Sequence, residues 1–161
     1  MKTHLGEYIS EYHEQMEVGI VPRAYKALME YMMKLRTYFM DQYPDEFTVG
    51  SLYQGYMDIT FFTFTPRAVK DKSLKVAIVF NHEKLHFEVW LVGQNKQMQE
   101  QYWKLFKDNS WNTYPIADTP KDAILQAIIV RHPDFDDLDL LTELIERETV
   151  RFINYIGEYL N

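Results

Sequence analysis

Between Leu74 and Leu91 apolar residues occupy every second position, Leu74, Val76, Ile78 and Phe80 in one run and Phe87, Val89 and Leu91 in the next. The polar tetrapeptide Asn81-His82-Glu83-Lys84 separates the two runs. A period of two marks strands with one buried face, and a short polar break between two such runs joins antiparallel strands. The middle of the chain is thereby committed to a β-hairpin. Burial also argues for a register. Setting Phe80 against Leu85, Ile78 against Phe87, Val76 against Val89 and Leu74 against Leu91 gathers apolar side chains on one face. A slip of one residue would instead oppose them to His86, Glu88 and Trp90, because it exchanges the two faces of a strand.

On either side the pattern changes to helical spacing. Residues 3–17 carry Leu5, Tyr8, Ile9, Tyr12 and Met16 at intervals of three and four, with Glu7, Glu11 and Glu14 on another side. Gly19 ends that helix, and Pro22 opens a longer one over residues 22–43, striped by Tyr25, Leu28, Met32, Leu35 and Phe39. From Phe47 to Thr65 β-branched and aromatic residues return as one or two more strands, and Thr65-Pro66-Arg67 begins a turn or short helix. Asn95 caps a helix over residues 96–108, Trp111 to Ile116 reads as a short strand, and Thr119-Pro120 opens a helix reaching Val130. Asp136 or Asp137 caps a final helix carrying Leu138, Leu141, Ile145, Phe152, Ile156 and Leu160. The expected fold is a single α+β domain over residues 1–161. An antiparallel sheet of three to five strands in the middle of the chain is packed by N-terminal and C-terminal helices.

Composition narrows the function classes. The chain has 161 residues and no cysteine, which excludes disulfides, thiolate metal sites and a cysteine nucleophile. Nothing in it has the length of a signal-peptide core or of a membrane span, so the expectation is a soluble, cytoplasmic protein without membrane partners. The net charge of −7 is uneven: −4 over residues 1–65, +4 over 66–107 and −7 over 108–161. Phosphate contacts need clustered cations. Here Lys75, Lys84, Lys96 and their neighbours read instead as strand-flanking charges facing an acidic C-terminal helix, which disfavours nucleic acid.

The candidate site residues lie on the strands. Pairing Met57 with Phe80, Ile59 with Ile78 and Phe61 with Val76 puts Asp58, Val79 and His86 in one row of the less apolar face. Thr60, Ala77 and Glu88 follow, then Phe62, Lys75 and Trp90. Asp58 and His86 would then stand about 9.5 Å apart, two strand spacings. That is too far to share one metal but close enough to flank a ligand. On this face Asp58, Glu88 and His86 are the candidates for acid, base or ligand chemistry, and Tyr53, Tyr56, Phe62, Lys75 and Trp90 form a candidate aromatic and cationic binding wall. Other motifs fail on mechanism. His82-Glu83-Lys84-Leu85-His86 spells H-E-x-x-H, yet zinc binding by that motif requires a helix to bring both histidines to one side, and here it spans a hairpin tip. Asp134 to Asp139 lacks the glycine and the terminal Glu of a calcium loop. The Asp and Glu-x-Lys pattern of metal-dependent nucleases breaks at Glu88-Val89-Trp90, where Trp stands in the lysine position.

Leu52-Tyr-Gln-Gly-Tyr-Met-Asp58, Leu74 to Lys84 and Phe87 to Lys96, with Gln99, Tyr102 and Trp103, together resemble an uncharacterised family of small bacterial domains of unknown function. The likeness extends more loosely over the Tyr25 to Phe39 helix and over Pro133-Asp134-Phe135. It implies a bacterial cytoplasmic domain and supplies no activity, cofactor or site residue. The expectation is a non-enzymatic binding or interaction domain that uses its aromatic and polar sheet face, without cofactor or metal. Its partner would be an unidentified protein or small molecule, with a homodimer through an apolar helix stripe or sheet edge as a further possibility. The alternative is a divergent hydrolase or nuclease-like enzyme built on Asp58, Glu88 and His86.

Overall fold

The computed structural model describes residues 4–161, so Thr3, where the first helix was expected to start, lies outside the described residues. The elements run α1 (Leu5–Val18), α2 (Ile20–Gln42), β1 (Phe47–Tyr53), β2 (Ile59–Pro66), α3 (Arg67–Lys70), β3 (Leu74–Asn81), β4 (His86–Gly93), α4 (Lys96–Asp108), β5 (Leu125–Val130) and α5 (Leu138–Leu160). The five strands form one antiparallel sheet in the order β1-β2-β3-β4-β5. This is an α+β architecture, with the sheet in the middle of the chain between N-terminal helices and a C-terminal helix.

The β3–β4 hairpin keeps the expected faces but not the expected partners. Phe80 pairs with Phe87, Ile78 with Val89 and Val76 with Leu91, two residues away from the register argued from burial. A two-residue slip leaves every side chain on its own face, so burial cannot discriminate between the two; the turn decides. Asn81 accepts the Leu85 N–H on its carbonyl at 2.8 Å and the Lys84 N–H on its side chain at 3.0 Å, and Leu85 adopts a positive φ of 54°. The turn therefore consumes His82 to Leu85.

Strand β2 departs by an odd number. Thr60 pairs with Phe80, Phe62 with Ile78 and Phe64 with Val76. This reverses the expected faces: Phe62 and Thr60 are wholly buried on the core side, and the proposed rows joining Asp58 to His86 and Phe62 to Trp90 do not exist. The run Ile59-Thr-Phe-Phe-Thr-Phe64 is apolar on both faces, so alternation alone could not orient it. Helix α2 does so, because Phe39 packs against Phe62 and Phe64 at ring separations of 6.2 and 5.8 Å.

A second correction falls at the other edge. Residues 119–130 are not a helix. Leu125–Val130 is strand β5, paired with β4, and the expected strand at 111–116 is a loop with one bridge, Ile116 to Leu125. The Leu-Gln-Ala-Ile-Ile-Val run is short and rich in β-branched residues, which suits an edge strand better than a helix.

Helices α2, α4 and α5 share one core with the sheet, through Leu35 and Phe39, Phe106, and Ile145, Phe152 and Ile156, against Val76, Ile78, Phe80, Val89 and Leu91. Tyr38 and Tyr43 on the α2 side both donate to Glu146 of α5, each at 2.8 Å, and so tie two segments of distant sequence. Gln99, 9% exposed, fastens the end of the sheet. It accepts the Gly93 N–H at 3.1 Å and donates to the carbonyls of Pro120 and Lys121. Asn95 and Asp137 cap α4 and α5 with their side chains, as the sequence suggests. Helix α1 is the exception to this packing, since it buries no residue.

Candidate functional site

The sheet face turned away from the helices carries Phe61, Val79 and Glu88 in one cross-strand row and Thr63, Ala77, Trp90 and Gln126 in the next. Val79 and Ala77 are buried because larger side chains flank them, whereas Lys75, Glu88 and Trp90 are half-buried. Glu88 is the hub. It accepts from His86 Nε2 at 2.8 Å, Trp90 Nε1 at 3.0 Å and Asn81 Nδ2 at 3.2 Å. Three donors engage both carboxylate oxygens, which makes Glu88 a clamp that orients an indole and an imidazole. Lys75 pairs with Val92 rather than standing across from Trp90, and the cation–π contact found among the described residues is Lys107 over Trp103 at 4.4 Å. Tyr53 reaches the same face and packs on Phe61 at 4.9 Å.

Asp58 and Tyr56 lie elsewhere, in the β1–β2 loop. Tyr56 is 90% exposed. Asp58 accepts the Tyr56 N–H at 2.9 Å, and hydrogen bonds from the Tyr56 and Ile59 backbone hold its carboxyl below the usual carboxylate value. The loop turns through Gly55 at φ 75°, where a Cβ would stand 2.0 Å from the Ile59 carbonyl oxygen, so only glycine fits. The loop is pinned to the hairpin tip: the His82 N–H reaches the Asp58 carbonyl at 2.9 Å, and His82 Nε2 lies 2.8 Å from Thr60 Oγ1.

That last contact resembles a base beside a nucleophile, but the proton count says otherwise. Thr60 donates its hydroxyl hydrogen to the Gln54 carbonyl at 2.7 Å. It can then only accept from His82, which fixes the proton on Nε2. Burial lowers the His82 pKa below the usual imidazole value, in keeping with a neutral donor. His82 turns toward Thr60 on the core side and His86 toward Glu88 on the other, so the two histidines of the H-E-x-x-H string diverge. No group of three metal-ligating side chains comes together among the described residues.

The concave site is one the strand residues do not announce. A groove of about 740 Å³ opens between the start of α2, the hairpin tip and the loop before α5. Phe80, Tyr31 and Phe135 form its aromatic floor, with Phe135 edge-on to the other two at 5.9 and 6.3 Å. Tyr31 donates to Thr142 Oγ1 at 3.0 Å, since Thr142 gives its own hydrogen to the Leu138 carbonyl. Lys84, Arg131 and His132 stand around the wall, and no acidic residue lines it. One sequence signal was available. Ala24, Ala27, Leu28 and Tyr31 share one helical face, and two alanines on a face that otherwise buries large residues leave room for something else.

No helix among the described residues is long and apolar enough to cross a membrane. No curated protein and no solved structure matches the chain. Over residues 5–160 it matches the model of the domain of unknown function DUF7000, and the chain belongs to that family.

Proposed function

We propose that the chain is a ligand-binding domain whose site is the groove between α2, the hairpin tip and the loop before α5. Its ligands join an apolar body to an anionic head. The observation that carries this is the composition of the wall: an aromatic and aliphatic floor with Lys84 and Arg131 as its fully charged residues. A groove of about 740 Å³ falls within the ~300–1,000 Å³ of small-molecule sites, which are mostly apolar with a few placed polar groups. Binding fits better than catalysis because the side chains that looked reactive are committed. The Thr60 hydroxyl and the His82 proton are both given to partners, and Glu88 holds three donors.

Displacement of anilinonaphthalene sulfonate by dodecanoate and by dodecanol, which differ only in the charge of the head, tests the site. Dodecanoate should bind about tenfold tighter, the worth of one charge-assisted contact. In the Lys84→Ala/Arg131→Ala variant the two should compete equally. Equal competition in the unaltered protein refutes the assignment, as does an acid preference that survives the double substitution.

A second reading has its own observation. The sheet face around Trp90 lies opposite the core that α2, α4 and α5 share, and Glu88 fixes the indole in place. This would suit a flat protein surface, and Trp90→Ala would then abolish a partner contact without affecting dodecanoate.

A further inference from the structure

Helix α1 has an apolar stripe with nothing on it. Leu5, Tyr8, Ile9, Tyr12 and Met16 range from 45% to 74% exposed. A helix of 14 residues is marginal in water by itself, where about 12–15 residues is the lower limit even for favourable sequences. Its own groove is out of reach. Gly19 alone separates α1 from α2, and a helical pair needs a loop of about 2–5 residues to fold back on itself. Gly19 sits at φ 84°, donates to the Gln15 carbonyl at 3.0 Å and accepts the Arg23 N–H at 3.2 Å. The helical ladder is broken at this left-handed residue, one bond ending α1 and the other opening α2, and α1 extends as an arm that buries no residue.

We propose that α1 occupies the groove of a second copy, and that two arms exchanged reciprocally close a twofold dimer. This rests on the groove being a ligand site and names its occupant. The chemistry matches on both sides. A helix laid in a groove anchors through positions spaced like Leu5, Ile9, Tyr12 and Met16. The ionised side chains of α1 are Glu7, Glu11, Glu14 and Glu17, with no Lys or Arg, whereas the groove presents Lys84 and Arg131. At ~100° per residue, Glu11 and Glu17 border the stripe on its two edges, where the rim cations would meet them. Lys84 stands 4.0 Å from Glu83, but both side chains are largely exposed, so a partner's carboxylate can displace that weak pair. Asp134 accepts the Asp136 N–H at 2.9 Å and Asp137 caps α5 through the Leu140 N–H.

The area suffices. With surfaces of about 200 Å² for each large side chain, the stripe contributes roughly 600 Å² per arm. Two arms alone then contribute roughly 1,200 Å², the lower bound of the ~1,200–2,000 Å² of a standard stable interface, and the two grooves add to it. A twofold exchange is closed, so it stops at two chains.

Light scattering of the full chain should give twice its 19.3 kDa. The Ile9→Glu/Tyr12→Glu variant alters side chains that touch no core and should be monomeric with an unchanged circular dichroism melt of the body. Its groove, now vacant, should take dodecanoate at least tenfold tighter than the unaltered protein. The chain has no cysteine, so oxidising a mixture of Ile9→Cys and Leu85→Cys proteins should yield the mixed disulfide dimer. A monomeric parent chain that still binds dodecanoate overturns the exchange and leaves the ligand site standing. A dimer that persists in the Ile9→Glu/Tyr12→Glu variant, or that gives no mixed disulfide, also overturns it. Loss of dodecanoate binding by the monomeric variant overturns the ligand site itself.

Discussion

Replacing Glu88 by Ala withdraws one acceptor from three side chains on the sheet face. The contacts are His86 Nε2 at 2.8 Å, Trp90 Nε1 at 3.0 Å and Asn81 Nδ2 at 3.2 Å, and the Glu88 side chain is 12% exposed. A hydrogen bond to a charged group is worth a net ~1.5–3 kcal/mol. Water adjoins this face and can take up the released donors, so the low end applies to the indole and imidazole contacts, and the longer amide contact adds little. The loss should be about 2–3 kcal/mol. With a urea m-value of about 2 kcal/mol per molar, the unfolding midpoint falls by about 1–1.5 M. Trp90→Phe keeps the ring and deletes one donor, for about 1 kcal/mol. Because the two substitutions break one shared bond, the double variant should lose about 1 kcal/mol less than their sum. Urea unfolding of the four proteins, followed by circular dichroism, completes the cycle. A Glu88→Ala loss under about 0.5 kcal/mol, or strict additivity with Trp90→Phe, would show that the clamp does not hold this face together.

Gln99→Leu should cost about 3 kcal/mol in thermal unfolding, because it orphans the Gly93 N–H and the carbonyls of Pro120 and Lys121 at a buried site. Burial pushes the Tyr31 phenol up to about 12, against the opposing hydrogen bond with Thr142. Its raised pKa in the folded state means that its contribution is complete below pH 10 and is lost as pH climbs from there through about 12. Urea midpoints should fall across that window by up to about 2 kcal/mol in stability, and less steeply in Tyr31→Phe. Thr149 Oγ1 is buried without a hydrogen-bond partner among the described residues, so Thr149→Val should raise stability by up to about 1 kcal/mol by differential scanning calorimetry.

What was legible in the sequence was parity and punctuation. Alternation assigned the faces of β3 and β4, and Asn95 and Asp137 marked the starts of α4 and α5 because a capping side chain acts within one turn. What alternation cannot see is a shift by two, and the hairpin slipped by two because Asn81 organised the turn. Nor can it orient a strand that is apolar on both sides, and β2 was set by Phe39, which lies in another element. Strand β5 is not legible as a strand because a short run of five apolar residues and one Gln suits a buried helix as well. Of the candidate residues, Glu88, His86 and Trp90 do come together, Tyr53 shares their face from β1 at the far edge of the sheet, and Asp58, Tyr56 and Phe62 are dispersed. The groove assembles from α2, the hairpin tip and the Arg131 to Leu138 segment, and no single stretch of sequence contains it.

The strand order β1 to β5 repeats the order of the chain, which has a consequence in time. Each strand joins a neighbour already made, so β1 to β4 close only short loops and should form quickly, whereas β5 must wait for α4 and the loop after it. Its roof obeys a different clock. Tyr38 and Tyr43 await Glu146, 108 and 103 residues downstream, and the 23 residues of α5 follow every strand in the chain. Without α5 the sheet has part of its apolar side unroofed. A chain truncated before Leu138 should therefore keep its strands and be prone to stick to others.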